Sequence, residues 1–128
     1  MKENSSIFCQ NKNQPTERFL EVCLLLLLHE KDDYGYGLSQ ELPFFGFSDN
    51  ELNVSTMYRI LRRIEKIDLV ESTWEESGLG PRRRVYRITE KGKEELSKWI
   101  VILKNRKLNI QKLIDRFERP DHYNHLEE

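Results

Sequence analysis

The stretch STMYRILRRIEK, Ser55 to Lys66, has the spacing of a two-sided α-helix. At about 100° per residue its apolar side chains gather on one face, made of Met57, Ile60, Leu61 and Ile64. The opposite face is polar and cationic, and it carries Ser55, Arg59, Arg62 and Lys66. Tyr58 and Arg63 flank this cationic face. The pattern predicts a helix from Ser55 to Ile67 that buries one side and presents positive charge on the other.

Two further helices are predicted ahead of this one. The first begins at Pro15-Thr16-Glu17 and continues to His29, and its run from Val22 to Leu28 is apolar on every side. A helix on the surface of a monomer shows one apolar stripe, so this helix needs cover on two sides. A buried strand is the alternative for a short apolar run, but leucine is not β-branched and the flanks extend the run to helix length. A short second helix is predicted from Tyr36 to Leu42, ended by Pro43.

A β-hairpin is predicted after the cationic helix. Val70 to Trp74 alternates apolar and polar residues, and Val85 to Ile88 is β-branched and aromatic. The tip between them includes GLGPRRR, Gly78 to Arg84, in which three arginines follow a glycine and proline turn. Repulsion among three adjacent cations serves no folding purpose. The tip is therefore expected to face a negatively charged partner.

A long last helix is predicted from its cap at Thr89 to the residue before Pro120, about 45 Å at 1.5 Å per residue. Side chains spaced alternately by four and three residues form a seam of the kind that faces a partner helix. The seam consists of Leu96, Ile100, Leu103, Lys107, Ile110, Ile114 and Phe117. Lys107 is its single polar break. One small domain cannot cover both ends of such a helix, so the seam predicts a homodimer.

Positive charge is local in this chain of 128 residues, whose formal net charge is -1 at pH 7. From Ser55 to Lys66 four basic residues oppose one acidic residue, a net charge of +3, and from Arg82 to Lys93 six oppose one, a net charge of +5. A lone cationic helix face is typical of a solvated surface, but its combination with a basic hairpin tip favours a polyanion. Because helix-turn-helix proteins present their second motif helix to the major groove, the helix from Ser55 is predicted to read DNA while the tip grips the flanking backbone or minor groove.

Three segments resemble the PadR family of bacterial winged-helix regulators. They are YGYGL from Tyr34, STMYRILRRIE from Ser55 and GPRRRVYRITEKG from Gly80. The resemblance covers about residues 16 to 117 and implies a mainly α fold with a small β-hairpin, a winged helix-turn-helix with a long C-terminal dimerisation helix. One departure is Asp68, where family members usually have glycine. Phe45-Gly46-Phe47 and the segment Ser77 to Pro81 are also similar to the polyhydroxybutyrate-responsive repressor branch.

The resemblance implies a dimeric repressor of transcription that binds double-stranded DNA. The residues expected to contact DNA are Tyr36, Ser55, Thr56, Tyr58, Arg59, Arg62, Arg63, Lys66, Arg82, Arg83 and Arg84. The first and last helices are expected to form the dimer through Phe19, Leu20, Leu24, Leu27, Leu96, Trp99, Ile100, Leu103, Ile110, Ile114 and Phe117. A small hydrophobic or phenolic effector is expected to weaken DNA binding, with Trp99 the first candidate for its contact.

The chain is expected to comprise a flexible tail at 1–14, a winged-helix DNA-binding domain at 15–88, a dimerisation helix at 89–119 and a second flexible tail at 120–128. The tails are assigned because their polar composition cannot bury enough apolar surface to order itself. No apolar run reaches the roughly 18 residues that a membrane span needs, and no signal-peptide layout begins the chain. A cytoplasmic protein without membrane contact is the expectation.

An enzyme is not expected, because no nucleophile is paired with a base and no phosphate loop is present. No cofactor is expected either. His122 and His125 have helical spacing but lack third and fourth ligands, since Cys23 and His29 are distant, so no metal site is predicted. Cys23 is expected to pack as a small hydrophobe.

The alternative function is a winged-helix module that binds protein or RNA through the hairpin, without sequence-specific DNA binding.

Overall fold

The structure, a computed structural model, describes residues 15–47, 54–76, 78 and 80–119. The elements in chain order are α1 Pro15–Glu30, β1 Asp33–Tyr34, α2 Gly35–Glu41, a 3-10 helix Leu42–Phe45, α3 Val54–Lys66, β2 Val70–Glu75, β3 Arg83–Ile88 and α4 Glu90–Glu118. The chain divides into two compact units, Met1–Leu96 and Ser97–Glu128, so α4 begins in the first unit and ends in the second. The predicted tails, and with them His122 and His125, lie outside the described residues, as does the segment 48–53.

The leucine run of α1 forms the centre of the first unit. Its buried members are Val22, Cys23, Leu24, Leu25, Leu27 and Leu28. They are covered from several sides, because α1 contacts α2, α3 and β3. The predicted helix is confirmed, and the cover that its apolar surface requires comes from elements of the same chain. Burial raises the pKa of the Cys23 thiol from its ordinary value of 9.0 to about 12, so this thiol is neutral at physiological pH.

The sheet has three strands where the sequence predicted a two-stranded hairpin. Its order is β1-β3-β2, with both pairs antiparallel. The extra strand is Asp33–Tyr34, which pairs with Tyr86 and Val85 of β3. Two residues are too few to show the alternation that marks a strand in sequence, which explains why β1 was missed. We call β2, β3 and the turn between them the wing.

Helix α3 presents its apolar face to the core as its periodicity predicts. Met57, Ile60, Leu61 and Ile64 have no exposed surface. Contacts with α1, α2 and β2 enclose this face. The polar remainder of α3 therefore faces away from the core.

Helix α3 ends in a Schellman motif whose left-handed residue is Asp68. The Asp68 N–H donates to the Glu65 carbonyl at 3.0 Å, and the Leu69 N–H donates to the Ile64 carbonyl at 2.8 Å. Asp68 has φ of 67°, in the region that favours glycine. The turn thus keeps the backbone form that glycine adopts easily, although the side chain here is aspartate.

Replacing Asp68 by glycine should stabilise the protein. The substitution Asp68→Gly relieves the cost of a left-handed Cβ, and after the added entropy of glycine in the unfolded chain a gain of about 1 kcal/mol in unfolding free energy is expected. Urea denaturation measures the gain. Asp68→Ala is the control and should lower stability, so equal effects of the two variants would contradict the assignment of strain to this position.

Helix α4 starts on a cap made by the predicted residue, Thr89. The Thr89 hydroxyl accepts from the Gly92 N–H at 3.0 Å and donates to the Asp68 carbonyl at 2.6 Å. Gly92 lies so close to the backbone of Leu69 that a Cβ there would overlap the Leu69 carbonyl oxygen.

Within the described ranges, no helix combines the length and the hydropathy that crossing a bilayer requires.

Candidate nucleic-acid interface

The outward side of α3 carries three polar residues, which we call the outer face: Ser55, Arg62 and Lys66. All three side chains are exposed. Among the described residues, neither Arg62 nor Lys66 takes part in an ion pair. Thr56 is half-buried one residue after Ser55. Two cations of the outer face are therefore available to an external partner.

The other two arginines of α3 are bound to α1. Arg59 Nη2 lies 2.9 Å from Glu17 Oε2, and this hydrogen bond raises the pKa of Arg59 above its ordinary value. Arg63 Nη2 donates to Glu21 Oε1, and Glu21 is buried. Sequence reasoning placed both arginines in the DNA-contacting set. The structure places them on the flank of α3 that faces α1.

The opposite flank of α3 faces the wing. Tyr58 is half-buried, and a Cβ on Gly35 would overlap its ring and hydroxyl, so the tyrosine packs directly on the first residue of α2. Arg84 Nε donates to the Ser72 hydroxyl at 3.0 Å, and that hydroxyl donates to Glu65 Oε2 at 2.8 Å. This chain of hydrogen bonds connects the wing to α3.

The three wing arginines rest on two aromatic rings. The guanidinium groups of Arg82 and Arg84 lie 5.4 Å and 5.1 Å from the centre of the Trp74 ring. Arg83 lies 4.8 Å from the centre of the Tyr34 ring. Such contacts restrict a guanidinium without using its hydrogen-bond donors. The cations are thus oriented, and two of them also have polar partners: Arg84 Nε donates to Ser72, and Arg82 Nε lies 3.7 Å from Glu76 Oε2 in an exposed ion pair. The Nη donors of both guanidinium groups still suit an anion.

Sequence reasoning missed both aromatic residues. Trp74 pairs with Arg84 across β2 and β3, and Tyr34 lies on β1, which pairs with β3 at Val85. The hairpin register could have identified Trp74, but the long tip leaves that register undetermined in the sequence. Tyr34 also donates to Glu75 Oε1 at 2.6 Å, and that hydrogen bond is the main cause that raises the pKa of Tyr34.

A cleft of about 400 Å³ lies between α3, the start of α2 and the wing. Its lining residues are Tyr34, Gly35, Tyr36, Tyr58, Arg62, Trp74, Arg82, Arg83, Arg84 and Tyr86. Tyr36 is 73% exposed there. The structure therefore brings six predicted DNA-contacting residues, from three separate segments, to one cleft. The other five do not line it: Ser55, Thr56, Arg59, Arg63 and Lys66.

The chemistry of this cleft suits a polyanion. Four arginines supply charge-assisted donors for phosphate oxygens, and the aromatic walls offer flat surfaces to sugars or bases. Across the described ranges, no group of three His, Cys, Asp or Glu side chains is placed to hold a metal ion. The arrangement can bind and orient a charged partner, and it contains no paired nucleophile and base.

The residues predicted for the dimer interface fall into two groups. Leu20, Leu24, Leu27 and Leu96 are buried within the single chain and leave little surface for a partner. Phe19 is partly exposed and stacks on Phe47. On α4, Trp99 and Leu103 are half-buried. The exposed apolar residues of α4 are Ile100, Val101, Ile102, Leu108, Ile110, Leu113, Ile114 and Phe117.

Known proteins resemble this chain in sequence and in fold. The sequence model of the transcriptional regulator PadR-like family matches residues 24–98. A PadR-like transcriptional regulator of Bacillus cereus is 34% identical, with a TM-score of 0.65 over 74% of this chain and 90% of that one. A transcriptional regulator of Clostridium thermocellum is 28% identical, with a TM-score of 0.65 over 73% of this chain and 88% of its own. An uncharacterized protein of Lysinibacillus sphaericus is 35% identical over 81 residues, 63% of this chain and 74% of the relative.

Proposed function

The chain belongs to the PadR-like family of transcriptional regulators, and from that premise we propose that it is a repressor which binds operator DNA as a homodimer. Family membership confirms the prediction of a regulator and not an enzyme. Membership in the PadR-like family does not distinguish one branch of it from another, so the polyhydroxybutyrate-responsive assignment stays a prediction. We place the protein's site of action in the cytoplasm, where bacterial DNA lies.

One observation carries the proposal: Arg62 of α3 and the three wing arginines line the same cleft. In our proposal the outer face of α3 enters the major groove, where the Arg62 guanidinium can donate two hydrogen bonds to the edge of a guanine. Lys66 and the wing arginines hold phosphates beside it. Tyr36 and Tyr58 supply hydroxyls at the wall between the two elements. The hydroxyls of Ser55 and Thr56 lie at the first turn of α3, where they can donate to phosphates or base edges.

Dimer formation in this proposal uses the exposed apolar residues of α4 together with Phe19. The stretch from Ile110 through Ile114 to Phe117 exposes apolar surface along about two turns of helix. Surfaces of this kind mark protein contacts. A two-fold related copy would present a second α3 to the same duplex. Because both half-sites are then bound at once, the dimer binds the operator more tightly than one chain binds a single half-site.

Our proposal includes a small-molecule effector that controls DNA binding, and the surroundings of Trp99 support it. Its indole is half-buried, and the guanidinium of Arg106 lies 5.7 Å from its ring centre. An aromatic ring with an adjacent cation suits a phenolic or other small hydrophobic molecule. In a Trp74→Phe variant Trp99 is the remaining tryptophan. If Trp99 lines the effector site, titration with the phenol that binds there should quench the tryptophan fluorescence of this variant. No response of Trp99 to any compound that releases DNA would contradict it.

Salt dependence of duplex binding tests the proposed function. Operator duplexes are first selected from a random library with the intact protein, and affinity is then measured between 50 mM and 200 mM salt. Binding that uses 6 to 10 phosphates should weaken about 10³- to 10⁵-fold over this range. Flat or absent duplex binding, with retained binding to a protein or RNA partner, would instead support the alternative winged-helix module.

Two arginine variants should separate base reading from backbone contact. Arg62→Ala is expected to cost about 1 to 3 kcal/mol on the selected operator and little on a scrambled duplex, because a base contact is lost. Arg83→Ala should weaken binding to both duplexes equally and reduce the salt slope by about 1. Fluorescence anisotropy titrations measure both. Identical losses on the two DNAs for both variants would refute this division of roles.

A further inference from the structure

Two ion pairs join α1 to α3 in matching register. Glu17 pairs with Arg59 and Glu21 with Arg63. Both glutamates are four residues apart on α1 and both arginines are four residues apart on α3, so each pair lies one helical turn from the other. The pairing order also shows that the two helices run in the same direction where they meet. A repeated, directional contact of this kind fixes both the slide and the rotation of α3 against α1.

We infer that Glu17, Glu21, Arg59 and Arg63 are positioning residues that orient α3 for reading, and that Arg63 does not contact DNA. This inference rests on the proposed function and changes the role of two arginines within it. The outer face, with Arg62 and Lys66, would then supply the cations of α3 that reach the duplex. The sequence count of +3 for α3 overstates the charge that DNA meets, since two of its four cations are neutralised by α1.

Burial makes the Glu21–Arg63 pair the costlier of the two to break. The Glu21 side chain is 11% exposed, and the Arg63 side chain is 41% exposed. If Arg63 turned toward a phosphate, it would leave a buried carboxylate without a partner, which is far costlier than losing both charges together. The Glu17–Arg59 pair is more open to solvent, since the Glu17 side chain is 25% exposed and the Arg59 side chain is 52% exposed. Arg59 therefore has greater freedom to exchange partners than Arg63.

The apolar face of α3 cannot provide the same precision. Met57, Ile60, Leu61 and Ile64 favour burial, which is non-directional and tolerates small rotations of the helix. A charge-assisted hydrogen bond from an arginine to a carboxylate requires a defined distance and angle. Arg62 adjoins Arg63 in the chain, so a rotation of α3 that breaks the Glu21 pair also displaces the outer face.

A rescue experiment tests the inference. Arg63→Gln should lower the Tm by at least about 5 °C, because Glu21 is left buried and unpaired. It should also weaken operator binding about tenfold, with an unchanged salt slope. Adding Glu21→Gln removes the orphaned charge and lets the two amide side chains hydrogen-bond in place of the ion pair, so the directional contact is kept. The double variant should therefore restore the Tm and bring operator affinity to within about threefold of the parent. A salt slope that falls by about 1 in Arg63→Gln, with no recovery in the double variant, would overturn the inference and make Arg63 a phosphate contact.

Arg62→Gln is the matched control on the adjacent position. Its loss of operator affinity should not be rescued by Glu21→Gln, and rescue there would overturn the assignment of roles. If Arg63→Gln proves too unstable to purify, Arg59→Gln with and without Glu17→Gln provides the same comparison on the exposed pair. If the parent protein binds no duplex at any salt, the proposed function fails. Recovery of the Tm in Glu21→Gln, Arg63→Gln then still shows that the two charges are coupled in the folded protein, and no recovery would overturn the pairing on which the inference rests.

Discussion

The double variant Ile110→Glu, Ile114→Glu is expected to stay a single chain in solution and to bind the selected operator about 10² to 10⁴ times more weakly than the parent. The two side chains lie one turn apart on α4 and are 57% and 38% exposed. Charges there would be desolvated without partners in a paired α4, and that cost opposes dimer formation. A single chain can occupy one half-site, so the gain from simultaneous binding of two half-sites is lost.

Asn105→Glu, Asn109→Glu is the matched control for this variant. It adds the same two negative charges at the same four-residue spacing on α4, at positions that are exposed and already polar. This control should remain a dimer and should bind operator as the parent does at moderate salt. Sedimentation equilibrium gives the mass, and anisotropy titration gives the affinity. A parent protein that is already monomeric, or an isoleucine variant that binds operator normally, would contradict the dimer proposal.

Gly92→Ala is expected to destabilise the protein by about 3 kcal/mol, the upper end of the cost of overpacking. Helix propensity alone predicts the reverse sign, because alanine is better than glycine in a helix by about 1 kcal/mol. The clash decides the outcome, since an added Cβ would overlap the Leu69 carbonyl oxygen and press on Ile88. A backbone carbonyl is less able to move aside than the end of a flexible side chain.

The same substitution one residue later provides the comparison for Gly92. Lys93→Ala removes an exposed side chain whose ion pair with Glu90 joins neighbouring turns of α4, and it should change stability by less than about 0.5 kcal/mol. Chemical denaturation of both variants measures the difference. Stabilisation by Gly92→Ala would show that α4 begins farther from β2 than described, and that its first turn does not anchor the helix on Leu69.

Periodicity in the sequence predicted most of the fold. The four α-helices, the wing and the cap at Thr89 follow from apolar spacing and capping residues, which act over a few residues each. Strand β1 escaped prediction because its two residues have no local pattern and its pairing partner is about 50 residues away in the chain. Asp68 was noted as a departure from glycine, and its φ of 67° lies in the left-handed region that glycine adopts easily.

The sequence predicted which cations belong to the candidate site, but it did not predict how they are arranged in space. Runs of arginine identified the wing and α3, since like charges close together in sequence are close in any fold. Their partners could not be identified in the same way, because Glu17 and Glu21 are each 42 residues from the arginines they bind. Trp74, which supports two wing arginines, was hidden by the undetermined register of the hairpin, and Tyr34 was hidden because strand β1 was not predicted. Long-range pairing therefore decides which cations remain available to DNA.

The most direct test of the proposed interface is the footprint of the protein on a duplex selected from a random library. Two copies, each with α3 in a major groove and a wing on the backbone, should protect two inverted half-sites on one side of the DNA. Their centres should be separated by about 10 to 10.5 base pairs or a whole multiple of that spacing, with two chains bound per duplex. A single asymmetric site bound by one chain, or a library that yields no enriched duplex, would contradict it.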